Sequence, residues 1–267
     1  MKLLYFFDEK VKPYFMRGKK YCHPTNTVII GNGVSCIREN DVNMWFYTKN
    51  GITIAFDAGH LHFKGLQTAF DKIGIDPNKI ETVFLTHADV DHAGGIDLCG
   101  ANIYPNANIY LGSKEEPYLK GDTCRITKMG IGVKNCVRLH DGYKLLEDGD
   151  IILIGDIRIH ALHIPGHTLG HMCYFVDDTV LISGDCLAVN KNGGYSFFDF
   201  FTQDPDMNKQ SLFKLKKLVQ SKNIMYVCTG HSGIVTDMNK LFSHCNESAV
   251  FSRKHPFDET APSDYRL

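Results

Sequence analysis

The segment from Glu81 to Gly95, ETVFLTHADVDHAGG, places two histidines and two aspartates within six positions, directly after an apolar run. The run TVFLT predicts a short buried strand, so the polar side chains fall in the loop at its C-terminal end. Imidazole nitrogens and carboxylate oxygens are the usual protein ligands of zinc, iron and manganese. The loop therefore predicts a metal-binding cradle. A solvated turn is the alternative, because Asp and Gly favour turns in any case. The candidate ligands are His87, Asp89, Asp91 and His92.

The same kinds of side chain recur where three later strands are predicted to end. IPGHTLGH places His167 after a Pro-Gly turn, LISGD ends at Asp185, and YVCTGH ends at His231. Each one alone is weak evidence, since a strand-end His or Asp more often makes a cap or a hydrogen bond. Together they supply seven metal-type side chains at four strand ends, and this favours a metal site over a set of ordinary turns.

Strands and helices are predicted to alternate in two similar halves. The first half contains strand patterns separated by Gly/Asn turns, and Asn50-Gly51 carries a hairpin signal. Residues 63–73 have helical spacing, with Leu66, Phe70 and Ile73 on one face. The second half repeats the pattern, with a helix predicted around residues 209–221. Two halves of this kind predict sheets packed face to face and covered by helices.

Length and composition set further limits. The 267 residues, 43% of them hydrophobic, can bury the core of one domain, and no linker separates two domains. We expect a single domain over residues 1–267, with residues 245–267 as a C-terminal tail that is docked or partly mobile. The formal net charge of -1 argues against nucleic acid and acidic membranes as partners. The opening MKLLYFF is too short for a signal-peptide core, so we expect a cytoplasmic protein whose nine cysteines are reduced.

The motif order resembles the metallo-β-lactamase superfamily. That order is His-x-Asp-x-Asp-His, Pro-Gly-His-Thr-x-Gly-His, Ser-Gly-Asp and Gly-His, within residues 27–231. In FDAGH, Asp57 resembles the structural aspartate of the family. The resemblance implies an α/β (α+β) fold, the four-layer αββα sandwich, with the site in a groove at the sheet edges.

The resemblance also implies a role for each candidate ligand. It assigns His87, Asp89 and His167 to one metal ion, and Asp91, His92 and His231 to a second, with Asp185 as the bridging carboxylate. Two divalent ions, zinc by default, lower the pKa of a shared water toward about 7 and so supply hydroxide as the nucleophile. Asp91 would be catalytic, because it can orient that hydroxide and carry its proton. His171 would support the ligands from behind.

Asp89 departs from the usual pattern, because most hydrolases of the superfamily have His at this position. A carboxylate there favours iron or manganese more than an all-imidazole site does. Flavodiiron oxidoreductases carry Glu at this position, whereas competence proteins and related phosphodiesterases often carry Asp. We therefore expect a hydrolase of a small ester, lactone, thioester or phosphodiester. The alternative is a flavodiiron-like domain that reduces oxygen or nitric oxide with a separate electron donor.

Two subgroups of the superfamily fit less well. True β-lactamases are exported, and no export signal is expected here. Acyl-homoserine lactonases use a tyrosine three residues after the bridging aspartate, where this chain has Ala188. Tyr195, in a longer loop, is a candidate substitute for it.

Two segments are candidates for selecting a small-molecule substrate. Residues 190–205 are rich in aromatic side chains. In one interpretation they form an apolar wall of the groove, with Asn190 or Lys191 as a polar contact. In the other they pack against the sandwich or against a second subunit of a homodimer. Residues 113–144 are basic. A solvated surface is the favoured interpretation there, but if the segment folds over the groove, Arg125, Lys128 or Lys134 would attract an anionic ester.

Overall fold

The computed structural model describes residues 24–60, 65–98, 102–126, 130, 132–190 and 192–250, together with residues 6 and 11. The strands of the first half are β1 (Val28–Gly31), β2 (Val34–Glu39), β3 (Val42–Lys49), β4 (Ile52–Phe56), β5 (Thr82–Phe84), β6 (Asn108–Gly112), β7 (Arg125–Ile126), β8 (Gly132–Val133) and β9 (Lys144–Leu146). Those of the second half are β10 (Ile151–Ile154), β11 (Ile157–His163), β12 (Met172–Val176), β13 (Val180–Gly184), β14 (Leu187–Asn190), β15 (Gly193–Ser196), β16 (Tyr226–Thr229), β17 (Ile234–Val235) and β18 (His244–Ser248). The α-helices are α1 (Leu66–Ile73), α2 (Val90–Ala93), α3 (Glu116–Leu119), α4 (Pro205–Gln220) and α5 (Met238–Leu241).

Two large sheets form the centre of the fold. The first has seven strands in the order β1-β2-β3-β4-β5-β6-β9, and the second has six in the order β10-β11-β12-β13-β16-β17. The first sheet is antiparallel from β1 to β4 and parallel from β4 to β9. In the second sheet β13 and β16 are parallel. The parallel strands of each sheet end at the edge where the candidate ligands follow them.

Three apolar cores separate four layers. The central core lies between the two large sheets and includes Trp45 of the first and Tyr174 of the second. Helix α1 packs on the outer face of the first sheet through Phe70, and helix α4 packs on the outer face of the second through Leu212 and Leu215. Both faces of the sheets are therefore buried, which explains the continuous apolar runs in β3 and β12. This is the predicted αββα sandwich.

Local signals in the sequence account for several elements. Asn50 and Gly51 have φ of 48° and 82°, the left-handed pair that a two-residue hairpin between β3 and β4 requires. Helix α1 buries Phe70 and Ile73 as predicted. Helix α4 begins after Asp204, whose carboxylate accepts a hydrogen bond from the backbone of Met207 at 2.9 Å. The Trp45 Nε1 donates to the Thr229 carbonyl at 2.9 Å and joins the two sheets.

A third sheet, β14-β15-β18, was not predicted. Asn190 ends β14 and residues 193–196 form β15, so residues 190–205 are not a loop throughout. Strand β18 also includes residues 245–248, so the predicted tail begins inside a strand; residues 251–267 lie outside the described part of the chain. That the chain is a single domain stays a prediction. Within the described residues, every helix is too short or too polar to cross a membrane.

Candidate metal centre

The candidate ligands meet at one edge of the sandwich. His87 and Asp89 lie in the loop after β5, Asp91 and His92 lie in α2, and His167 lies in the loop between β11 and β12. Asp185 follows β13, and His231 follows β16. Residues that are up to 144 positions apart in the chain become neighbours because four strands end at the same edge. All seven predicted side chains are brought together.

The ligand atoms form two compact groups. The metal-type atoms of His87, His167 and Asp185 lie within 4.8 Å of one another, and so do those of Asp91, His92 and His231. We call these the first and second groups. All six side chains are buried. The imidazole rings of His87 and His92 have centroids 4.2 Å apart, so the two groups adjoin.

Asp185, a member of the first group, also reaches the second group. Its Oδ2 is 3.8 Å from His167 Nε2 of the first group and 3.1 Å from His231 Nε2 of the second. Its Oδ1 is 3.4 Å from His92 Nε2. A side chain at position 230 would collide with this carboxylate, so Gly230 is required for Asp185 to lie there.

The histidines of the second group are oriented from behind. His92 Nδ1 is 2.8 Å from Asp57 Oδ2, and His231 Nδ1 is 2.6 Å from the Asp41 carbonyl. Because these oxygens accept, each Nδ1 donates, and each Nε2 is directed at the site. Asp57 also accepts from the backbone N–H of Thr86 at 2.8 Å, and its own φ of 62° is left-handed. This geometry agrees with the structural role that the resemblance implied for Asp57.

The first group has imidazoles that resist protonation. Burial lowers the pKa of His87 well below its ordinary value and lowers that of His167 to about 4. Neutral imidazole is the form that binds a metal ion, so both rings are ready as ligands at neutral pH. His171 supports this side of the site, because its Nε2 accepts a hydrogen bond from the Asp185 backbone at 3.1 Å.

Carboxylates dominate the charge of the second group. Burial opposes the charged form of His92, but Asp185, Asp57 and Asp91 outweigh burial and raise the pKa of His92 well above its ordinary value. Burial likewise opposes the charge of Asp185, yet His231 and His92 lower the pKa of this carboxyl. The carboxylates thus attract positive charge to the site, as a cation-binding centre requires.

Asp89 has a partner that the sequence did not reveal. Its Oδ2 is 3.6 Å from His87 Nε2 and 3.5 Å from His167 Nε2, and it is 2.6 Å from Arg125 Nη1. Its Oδ1 accepts a hydrogen bond from Tyr118 at 3.3 Å. Burial opposes ionisation of Asp89, but Arg125 and the adjacent histidines hold its pKa well below the usual range. Asp89 is thus an ionised neighbour of the first group.

The favoured interpretation of residues 113–144 as a solvated surface is wrong for Arg125. Strand β7 carries Arg125 over the groove, where its side chain is only 8% exposed. Lys134, by contrast, is exposed and lines an adjoining cavity with Arg125 and Asn135. Lys128 lies outside the described residues. The two-residue strand has no periodic pattern, so only the local basic charge pointed to Arg125.

Glu115 connects two loops of the site and was missed by the sequence analysis. Its Oε1 accepts from the backbone N–H of Ala88 at 3.0 Å, and its Oε2 accepts from the Thr168 hydroxyl at 2.7 Å. Ala88 and Thr168 each adjoin a candidate ligand. Burial raises the pKa of Glu115 to about 7. No spacing in the sequence distinguishes this glutamate from the surface glutamates.

The aromatic segment provides part of the wall of the groove. The Phe197 ring lies 5.0 Å from the His167 ring and 5.7 Å from the His231 ring, between centroids. Phe201 joins it in lining a cavity of about 40 Å³ against the ligands, room for roughly three waters or small ions. Tyr195 instead stacks on His244 at 4.6 Å. Lys191 lies outside the described residues.

Comparison with known proteins identifies relatives. A relative from Buchnera aphidicola, named hydroxyacylglutathione hydrolase, is 27% identical over 217 residues, 79% of this chain and 69% of its own. One of that name from Salmonella paratyphi A is 30% identical over 57% of this chain, and the match spans only 47% of that relative. An acyl-coenzyme A thioesterase of Gallus gallus is 26% identical over 58% of this chain and 63% of its own.

Solved structures agree in fold. A metallo-beta-lactamase family protein from Thermus thermophilus matches with a TM-score of 0.56 at 20% identity, over 79% of this chain and 77% of that one. Rm3 metallo-beta-lactamase matches with a TM-score of 0.58 at 14% identity, over 83% and 81%. The model of the metallo-beta-lactamase superfamily matches residues 37–231, more than half of the chain. This chain therefore belongs to the metallo-beta-lactamase superfamily.

Proposed function

We propose that this protein hydrolyses thioesters of small acyl groups at a centre of two divalent metal ions. One ion would be held by His87, Asp89 and His167, and the other by Asp91, His92 and His231. The observation that supports this proposal most strongly is the position of Asp185. Its carboxylate reaches ligand atoms of both groups within 3.8 Å, as a carboxylate shared by two ions must.

The buried atoms of the site fit such ions. Among the described residues, His87 Nε2, His92 Nε2 and Asp185 Oδ1 are buried and make no hydrogen bond of good geometry, although the last two lie 3.4 Å apart as an ion pair. Leaving buried polar atoms unpaired costs about 1–3 kcal/mol each, so an uncompensated cluster would destabilise the fold. A donor set of imidazoles and carboxylates suits zinc, and its carboxylate share also admits iron or manganese. We take zinc as the default ion.

The chain's own residues would then carry the reaction. Divalent ions held by these residues would lower the pKa of a water beside them, so that hydroxide would be available at neutral pH. Asp91 Oδ2 lies 3.2 Å from His231 Nε2 and beside the shared carboxylate, where it can orient that water and accept its proton. Phe197 and Phe201 exclude bulk water from one side of the groove.

The thioester class is supported by the relatives. Two of the relatives are named after hydroxyacylglutathione and acyl-coenzyme A, and both of these compounds are thioesters. The match spans only 47% to 69% of these relatives' own lengths, so we propose the class of bond that is cleaved and not the thiol that leaves. The small cavity beside Phe197 argues for a short acyl group next to the ions.

The test is a substrate panel on protein that has been stripped with a chelator and reloaded with zinc, iron or manganese. The panel contains short and long acyl thioesters, the matching oxygen esters, a lactone and a phosphodiester, all assayed without oxygen or an electron donor. We expect turnover of the short thioesters that returns with metal. Turnover only of a phosphodiester or a lactone would overturn the thioester assignment. A separate assay supplies a reduced flavin donor. Consumption of oxygen or nitric oxide there, by protein that hydrolyses nothing in the panel, would favour the oxidoreductase alternative.

A further inference from the structure

Arg125 contacts the atoms that would hold the first ion. Its Nη1 lies 2.6 Å from Asp89 Oδ2 and 3.3 Å from His167 Nε2. The same Oδ2 is the Asp89 oxygen nearest to His87 Nε2, at 3.6 Å. The other oxygen of Asp89 already accepts a hydrogen bond from Tyr118. The guanidinium therefore approaches the donor atoms from the side on which an ion would bind them.

The histidines of the second group are contacted differently. Asp57 and the Asp41 carbonyl bind the Nδ1 atoms of His92 and His231, on the far side of each ring from the site. Such contacts orient a ligand and strengthen it. The contact of Arg125 with His167 is instead at Nε2, the atom that faces Asp89 and Asp185. The two groups are therefore not equivalent.

We propose that Arg125 is a positioning residue that makes the first group the weaker of the two metal sites. A divalent ion entering this group would have to displace the guanidinium from Asp89 and His167. The displaced positive charge would stay close to the ion in a region of low dielectric constant and repel it. The second group fills first, and the first group fills only at higher metal concentration. This inference rests on the two-ion centre proposed above, and it concerns the order and strength of binding.

The primary experiment is a titration of the full-length, chelator-stripped protein with zinc against a chromophoric competitor, with stoichiometry from elemental analysis. We expect two dissociation constants for the wild type. In Arg125→Gln the lower dissociation constant should stay within about threefold of the wild-type value, and the higher dissociation constant should fall by about tenfold or more. Arg125→Lys keeps the charge without the planar guanidinium, so its higher dissociation constant should lie between those of the wild type and Arg125→Gln. Lys134→Gln is the matched control, since it removes an exposed charge beside the same cavity, and it should leave both constants unchanged.

Contrary results are distinguishable. A weaker constant that is unchanged or weakened further in Arg125→Gln would show that Arg125 does not compete, or that it supports Asp89 as a ligand, and would overturn the inference while the two-ion centre stands. Wild-type protein that binds one ion at most would overturn the two-ion centre and this inference with it.

A second pair of variants decides the question if Arg125→Gln does not fold. His87→Asn should abolish the weaker constant and spare the tighter one, whereas His92→Asn should abolish the tighter one. The reverse assignment would overturn the proposal without any change at Arg125.

Discussion

Glu115 should make the stability of this protein depend on pH in a direction opposite to that of most carboxylates. Burial raises its pKa from the ordinary 4.5 to about 7, so the folded state holds this proton more tightly than the unfolded state does. The stabilisation is complete below about pH 4.5 and is lost as the pH rises toward 7. Each pKa unit corresponds to about 1.4 kcal/mol, so the change amounts to about 3 kcal/mol.

Glu115→Gln tests this reasoning, because the amide resembles the protonated carboxyl and can keep both hydrogen bonds. Its carbonyl can accept from Ala88, and its amide can donate to the Thr168 hydroxyl. Relative to the wild type, the variant should gain about 2.5 kcal/mol in free energy of unfolding between pH 5 and pH 8, because part of the stabilisation is already lost at pH 5. Urea denaturation at both pH values, with chelator present so that metal binding does not contribute, measures this difference.

The control is Glu147→Gln, which removes an exposed carboxylate. A free-energy difference between Glu115→Gln and wild type that is the same at pH 5 and pH 8 would refute the argument, whatever the absolute stability of the variant. A difference that changes in the opposite direction would mean that the hydrogen bonds to Glu115 outweigh its burial.

Three further predictions concern the metal centre and the groove. Asp185→Asn should lower the metal content of purified protein from two ions to one or fewer per chain, and elemental analysis showing two would remove Asp185 from its shared position. Gly230→Ala should reduce metal content and melting temperature, because the added Cβ collides with Asp185, whereas Gly132→Ala, where the Cβ meets only a sulfur atom at 3.5 Å, should change neither. Phe201→Ala should improve kcat/KM for longer acyl thioesters relative to short ones, because Phe201 lines the cavity. Phe200 is the control, since its ring lies 5.1 Å from that of Phe201 but does not line the cavity. An equal effect from Phe200→Ala would contradict the prediction.

The sequence predicted those parts of the fold that depend on local pattern. Asn50-Gly51 encodes its own turn, because few other dipeptides accept two left-handed residues. The apolar run before His87 encodes a buried strand, and the polar side chains after it are then placed at the sheet edge. The convergence of His167, Asp185 and His231 followed from the same rule applied to three other strands.

The parts that the sequence did not predict depend on distant partners. Strand β18, HCNES, has no apolar alternation, and it becomes a strand because it pairs in parallel with β15, about fifty residues earlier. Arg125 is one of several basic residues in its segment, and only tertiary packing places it against Asp89. Glu115 has an unusual pKa for the same reason, since its burial is set by the loops that close over it.

The sheet of β7 and β8 brings Arg125 to the site while contributing little to the rest of the fold. It pairs only Arg125 with Val133 and Ile126 with Gly132, and Ile126 is 55% exposed. These four described residues belong to none of the three cores between the layers. Apart from Arg125, whose ion pair with Asp89 is buried, sequence change in such a ribbon carries little penalty in folding stability. Substitutions at Ile126, Gly132 or Val133 would therefore act on the position of Arg125 and leave the sandwich and the candidate ligands in place.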